Sequence, residues 1–250
     1  MSWFRRNHVS VLVACLSIAL FTIFVGLGVW QIERRTWKLD LIAAVEERAS
    51  APPIEAPGSD RWPSLSFEDD EYRHVSVTGE FMKGSDALAQ ATTDYGLGYW
   101  LMTPIETGRG FTVLVNRGFV PSREVAGEIA PPEGAVTVNG LLRMSQPGGG
   151  FLRSNDPDAG RWYSRDVTAI AAAQGLAGPI APYFVDAEGS GEESLAGVEP
   201  SYPIGGLTVT QFNNSHLSYA LTWFALAGLT LLGMAIFLRR TGRGTEPRNS

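Results

Sequence analysis

Two stretches decide the architecture: VSVLVACLSIALFTIFVGLGVW, Val9 to Trp30, and YALTWFALAGLTLLGMAIFL, Tyr219 to Leu238. Neither contains a charged residue. Each has the length, about 20 residues, of an α-helix that crosses the hydrocarbon core of a bilayer. The roughly 190 residues between them are enough for one domain with a real core or two very small ones. A middle region held to one face of a membrane by both its ends is the expected layout. A cleaved signal peptide is the rival reading of the first span, with Gly26-x-Gly28 imitating a cleavage site. The apolar run is longer than the usual h-region of about 7–15 residues, which argues against it.

Orientation follows from the cations at the span ends. Arg239, Arg240, Arg243 and Arg248 follow the second span, and no Lys or Arg precedes it as far back as Arg165. The C-terminus is therefore expected in the cytoplasm, or in the matrix of a mitochondrion. Two spans put the N-terminus, with Arg5 and Arg6, on the same side. Arg34, Arg35 and Lys38 fall on the outer side, against the rule, which suggests that they have another role. The expected segments are 1–8 cytoplasmic, 9–30 transmembrane, 31–217 extracytoplasmic domain, 218–238 transmembrane and 239–250 cytoplasmic tail.

Net charge is −6, which argues against nucleic acid as a partner. The single cysteine, Cys15, lies inside the first span, so neither a disulfide framework nor a thiolate metal cluster can form. No Ser/His/Asp set, zinc helix, nucleophile elbow or phosphate loop is readable, and a non-enzyme is expected. Asp69-Asp70-Glu71 reads as a solvated acidic loop.

From Trp30 the helix should continue outward, because Trp37, Leu41 and Val45 recur at i, i+4, i+8. Ala51-Pro52-Pro53 ends it. The middle reads as β-rich. Strands are expected at Tyr72–Thr78, stopping at Gly79, and at Tyr99–Ile105, Phe111–Phe119, Val136–Leu142, Tyr183–Asp186 and Leu207–Phe212. Thr107-Gly108-Arg109-Gly110 reads as a turn. A short helix fits Asp166–Gln174, with Asp166 or Thr168 as cap and Gly175 as stop. Ala187–Pro200 reads as an acidic mobile loop. The expected fold class is α+β: two transmembrane helices, N- and C-terminal, flanking one β-rich, mainly antiparallel extracytoplasmic domain.

Both spans end on the outer face, so Trp30, Gln31, Arg34 and Arg35 share a depth with His216, Tyr219 and Trp223. His216, Tyr219, Ala220 and Trp223 fall at i, i+3, i+4, i+7 on one helix face. Aromatic rings and cations at such an edge also serve as interfacial anchors and lipid-phosphate contacts. His216 admits three roles: a helix cap, a hydrogen bond to Asn213 or Asn214, or a ligand to haem iron. A macrocycle there would turn its propionates to Arg34, Arg35 or Lys38. His74, in a strand with no metal-spaced neighbour, reads as a surface or satisfied histidine.

Three segments together resemble the Surfeit locus protein 1 family of cytochrome c oxidase assembly factors. They are Gly28-Val29-Trp30-Gln31-Ile32-Glu33-Arg34-Arg35-Thr36-Trp37-Lys38-Leu39-Asp40-Leu41-Ile42, then Tyr72-Arg73-His74-Val75 leading to Gly79-Glu80-Phe81 with Val113-Leu114-Val115-Asn116-Arg117-Gly118-Phe119-Val120-Pro121, and Asn214-Ser215-His216-Leu217-Ser218-Tyr219-Ala220-Leu221-Thr222-Trp223-Phe224. The resemblance implies a protein of the bacterial or mitochondrial inner membrane that aids haem a insertion into oxidase subunit I. It implies His216 as the suspected iron ligand in members that bind haem a; the shared depth and helix faces then make Trp30, Tyr219 and Trp223 the expected walls, with Arg34 and Arg35 at the propionates. It implies subunit I, other assembly factors and the haem a synthesis machinery as partners, beside the lipid bilayer. Asn116-Arg117-Gly118 becomes a signature stretch, suited to a turn at a strand end in which Gly118 takes a special backbone conformation. The alternative is a cofactor-free scaffold that stabilises immature subunit I, with Thr22-x-x-x-Gly26 allowing close helix approach.

Overall fold

A single helix, α1 (Ser2–Ser50), opens the chain and carries the first apolar span. The computed structural model describes residues 2–189, 201–210 and 214–243. It divides into two units, Met1–Ala43 with Gln211–Ser250, and Ala44–Thr210. The outward continuation of the first helix beyond Trp30, and its stop before Pro52, are as the periodicity predicts.

The second unit is built on β1 (Ile54–Glu55), α2 (Phe67–Asp70), β2 (His74–Phe81), β3 (Ala87–Thr93), β4 (Gly96–Thr107), β5 (Thr112–Val120), α3 (Arg123–Glu128), β6 (Ala135–Met144), α4 (Val167–Ala173) and β7 (Ile180–Ala187). The strands run β1-β2-β6-β7-β5-β4-β3, and an added β2–β4 pairing closes the inner five into a barrel. That seam is short: Gly79 opposite Thr107, Glu80 opposite Glu106 and Phe81 opposite Ile105. Gly79 makes it possible, because a Cβ there would lie 2.2 Å from the Glu106 carbonyl oxygen. The glycine expected to stop this strand is thus the point of closest approach inside it.

Five of the strand pairs are antiparallel, but β1–β2 and β5–β7 are parallel. The barrel is therefore mixed. The return from β5 to β7 passes through α3, β6 and α4, a crossover long enough to bring β7 back in the same direction. Val75, Val77, Ile105, Val113, Val115, Leu142, Tyr183 and Val185 form one core cluster. On the opposite face of β5 and β7, Leu114 and Phe184 pack against Trp162 and against Val167 and Ile170 of α4. Burial on both faces explains the consecutive apolar residues Val113-Leu114-Val115 and Phe119-Val120 on either side of Asn116-Arg117-Gly118 in β5. Asp166 caps α4 by accepting the Ala169 N–H at 3.1 Å, and Gly175 follows with φ +62.

The expected strand at Leu207–Phe212 is not formed over 207–210; residues 211–213 lie outside the described ones. That segment is tied instead by Ile204 bridging Phe119, by Gly206 N–H to Ala187 O at 3.1 Å and by the Thr208 hydroxyl. The greater part of the expected acidic loop, 190–200, also lies outside the described residues. β3 is a strand that apolar propensity misses: its inward positions are Ala87, Ala89 and Ala91, each nearly fully buried.

In the first unit, α1 packs with the C-terminal helix α5 (His216–Arg243). Both are long and apolar enough to cross a membrane, with mean hydropathy of 2.6 and 2.1 over their most apolar windows.

Candidate functional site

The helix pair meets along small residues. Gly28 is buried, and a Cβ on it would lie 2.6 Å from Cε1 of Phe224. Ala220 and Ala227, each one turn from Phe224, are 1% and 3% exposed. Phe24, one turn before Gly28, stacks on Trp223 with centroids 5.8 Å apart. The close approach is therefore at Gly28. Gly26 has open space around its Cβ position, and the Thr22 hydroxyl donates back to Ile18 O at 2.9 Å.

Carrying the same two faces one turn further brings Gln31 opposite His216. The His216 Nδ1 lies 2.7 Å from Gln31 Oε1. With the carboxamide oxygen towards the ring, Nδ1–H donates and the Nε2 lone pair is left outward. No hydrogen bond to Nε2 is present among the described residues. A hydrogen bond of this kind on the other ring nitrogen fixes tautomer and ring orientation in histidines that ligate metals. His216 also stands at the first position of α5, and its backbone N–H donates to Asn214 Oδ1 at 3.4 Å. The structure thus brings His216 into contact with a partner, Gln31, that the i, i+3, i+4 pattern did not single out. Two facing helix stripes, Phe24-Gly28-Gln31 and His216-Ala220-Phe224, were the available signal.

The other predicted residues are spread around this point. Trp223 is turned to Phe24. Trp30 and Tyr219 are 53% and 58% exposed. The Arg34 guanidinium lies 3.9 Å from the centre of the Trp37 ring, which is a cation–π contact. Arg35 is half-buried. Among the described residues no group of three or more His, Cys, Asp and Glu could hold a metal ion. A ligand group here would rest on a single imidazole.

The domain has a polar centre that sequence reasoning missed. Asp186, 4% exposed, accepts from Asn116 Nδ2 at 2.7 Å, Arg143 Nη1 at 2.8 Å, Arg165 Nη1 at 3.0 Å and the Thr208 hydroxyl at 2.8 Å. Arg143 Nε also donates to Glu71 Oε1 at 2.7 Å, and Glu71 Oε2 accepts the Met144 N–H at 2.7 Å. Two guanidinium groups thus meet two buried carboxylates. Burial pulls Arg143 down, but Asp186 and Glu71 outweigh it and raise its pKa. For Arg165 burial prevails over Asp186, with repulsion from Arg143 added, and its pKa is lowered. Phe184-Val185-Asp186 and Leu141-Leu142-Arg143, each an ionised residue following apolar strand residues, were the visible hint.

Two expectations are corrected here. The acidic run is not a solvated loop: Asp70 and Glu71 are 4% and 2% exposed, and Asp70 pairs with Arg73 at 3.2 Å. Asn116-Arg117-Gly118 is not a turn but lies inside β5. Asn116 Oδ1 accepts the Gly118 N–H at 3.1 Å. Gly118 does take the special conformation, φ +136, and a Cβ there would be 2.4 Å from Ile204 O. Arg117 donates to Ile129 O at 3.3 Å and Ala130 O at 2.9 Å. His74 is half-buried; its Nδ1 lies 2.7 Å from Ala51 O, and its Nε2 lies 2.8 Å from a Glu188 carboxylate oxygen without forming a hydrogen bond.

The chain matches the SURF1 family model over residues 18–228. It is 34% identical over 237 residues to Surfeit locus protein 1 of Homo sapiens, covering 86% of this chain and 74% of the human protein. With the Mus musculus protein the identity is 35% over 238 residues, covering 86% and 72%. A SURF1-like protein of Monosiga brevicollis is 32% identical over 247 residues, covering 92% and 87%.

Proposed function

This chain belongs to the SURF1 family, and from that premise we propose that it is an assembly factor for a haem–copper terminal oxidase. In this reading α1 and α5 hold it in a bacterial inner membrane, or the mitochondrial one, with the barrel domain on the extracytoplasmic side. Both termini are cytoplasmic, in keeping with Arg239 and Arg240 after the second span. Its cargo is haem a, held on the way to subunit I, and no catalytic step is assigned to it.

The observation that carries the reading is the His216–Gln31 pair. Gln31 holds the imidazole with Nε2 free to ligate iron, and a single weak axial ligand suits a cargo that must be released. Tyr219, Trp30 and Trp223 would offer apolar faces, and Arg35 would supply a cation to a propionate. Arg34 would first leave its stack on Trp37. The cofactor-free scaffold has its own support, since Thr22 and Gly26 are exposed on a face that α5 does not cover. A client helix could approach closely there.

A visible spectrum separates the two. The full chain is purified in mild detergent from cells that make haem a, beside His216→Ala and Gln31→Leu. A haem a spectrum is expected in the wild type and none in His216→Ala. Gln31→Leu should bind about 10–100-fold more weakly, as when other ligating histidines lose the group that orients them. Folded wild-type protein that carries no haem would leave the scaffold as the working function.

A further inference from the structure

One edge of β2 pairs with β6 along its length, and the other is shared by two strands with a gap between them. β1 runs beside the start, with Ile54 opposite Val75 and Glu55 opposite Ser76, and Ala56 N–H donates to Ser76 O at 3.0 Å. β4 takes over from Gly79, which stands opposite Thr107. Every second residue of a strand turns its backbone groups to the same edge, so Thr78 N–H points into the gap. The rung that would follow in the β1 ladder, Thr78 N–H to Ala56 O, is not made. The Ala56 oxygen accepts Arg109 Nη1 at 2.7 Å. Among the described residues the Thr78 N–H has no acceptor.

A cleft of about 470 Å³ occupies this gap. It reaches down to Ala56, Val77 and Phe111, which belong to the apolar core of the barrel. Its rim is charged. Arg109 is engaged there, 3.2 Å from Glu55 and with its guanidinium 5.2 Å from the centre of the Phe111 ring. Glu80 and Glu106 are not. They stand directly opposite one another across the seam of β2 and β4, both exposed. Neither has an ion pair among the described residues, and Lys83, two residues past the end of β2, is taken by Glu133 at 2.6 Å. Like charges directly opposite in a ladder destabilise it, so the seam carries a repulsion that a cation would relieve. Among the described residues no group of three or more His, Cys, Asp and Glu could hold a metal ion. An apolar floor beneath two open carboxylates fits a lysine or arginine side chain, which has an aliphatic stem and a charged head. The unused Thr78 N–H fits a backbone carbonyl next to that side chain.

The geometry points to this cleft as a docking site for a lysine- or arginine-bearing segment of a partner protein. The open stretch, Val77 and Thr78, is too short for an added strand, so the segment enters as a loop or a chain end. Its charge complements Glu80 and Glu106, which sets which segments are accepted. The site lies wholly within the barrel domain and is independent of the haem reading. The test uses the full chain in a non-ionic detergent and a short fluorescein-labelled peptide of alternating lysine and valine, with a glutamate–valine peptide as control. Fluorescence anisotropy should show binding of the lysine peptide and none of the glutamate peptide. Glu80→Gln/Glu106→Gln should bind the lysine peptide several-fold more weakly. The same variant should melt no lower than the wild type, because the repulsion across the seam is gone. Amide exchange at Thr78 should be fast in the free protein and several-fold slower with the lysine peptide bound. Equal binding by the wild type and the double variant, or saturation that leaves Thr78 unprotected, would overturn the inference. So would the absence of binding up to millimolar peptide. Displacement of the peptide by micromolar calcium would overturn it too, since the two carboxylates would then be a metal site.

Discussion

At the scale of single residues, Asp186 decides most. Four side chains from β5, β6, the 160s loop and the 200s segment converge on one carboxylate. Removing one partner of such a buried set leaves charge uncompensated, at a cost of about 3–5 kcal/mol. Asp186→Ala should therefore lower the melting temperature of the domain by on the order of 10 °C, read by thermal melting of the purified chain. Asp186→Asn keeps the shape and should fall between. A shift of a degree or two for Asp186→Ala would mean that Glu71 and solvent suffice for both arginines. None of this convergence is legible in the sequence. Asn116 and Asp186 are 70 positions apart, and only strand pairing makes them neighbours. His216 is different. Its helix face and depth were readable, while its partner Gln31 depended on which stripe of α1 faces α5.

At the scale of elements, the helix pair rests on Gly28. Its missing Cβ lets the Phe224 ring lie against the α1 backbone, and this approach sets the reach between Gln31 and His216. Gly28→Ala can be met by rotation of the ring. Gly28→Leu cannot, and it should part the helices at this level and break the imidazole–carboxamide bond. Nitrogen-15 NMR of labelled His216 reads the outcome: the Nδ1 proton of the wild type is held, and that of Gly28→Leu exchanges with solvent. An unchanged Nδ1 signal in Gly28→Leu would show that the pair does not depend on this contact. Among the strands, β4, β5, β6 and β7 follow their apolar patterns closely. β3 escaped notice because alanine at alternate positions carries little strand propensity. The segment 207–210 has that propensity but is tied by the Thr208 hydroxyl to Asp186 rather than by a ladder.

At the scale of the whole molecule, barrel closure buries a phenol that marks the stability of the domain. Tyr183 donates its hydroxyl to Pro57 O at 2.7 Å, and burial pushes its pKa well above the ordinary value of 10.0. The folded state therefore keeps the proton while the unfolded chain loses it. The contribution is fully present below about pH 10 and is lost as pH rises from there towards the raised folded value. Denaturant unfolding should show stability falling above pH 10, and Tyr183→Phe should flatten that fall. The variant should also lose about 1 kcal/mol at neutral pH with its hydrogen bond. Equal alkaline slopes for the two proteins would remove Tyr183 as the cause.

The sequence alone determined the two spans, the β-rich middle and the turn and cap residues, because length, apolar runs and local backbone preference act over a few neighbours. It also carried the family resemblance. Strand order, the parallel return of β7, the Gly79 seam, the Asp186 centre and the His216–Gln31 bond were decided only by the tertiary structure. Period-2 alternation fixes which face a side chain takes and leaves its neighbour strand open. Helical periodicity likewise names a stripe without naming the stripe it will meet.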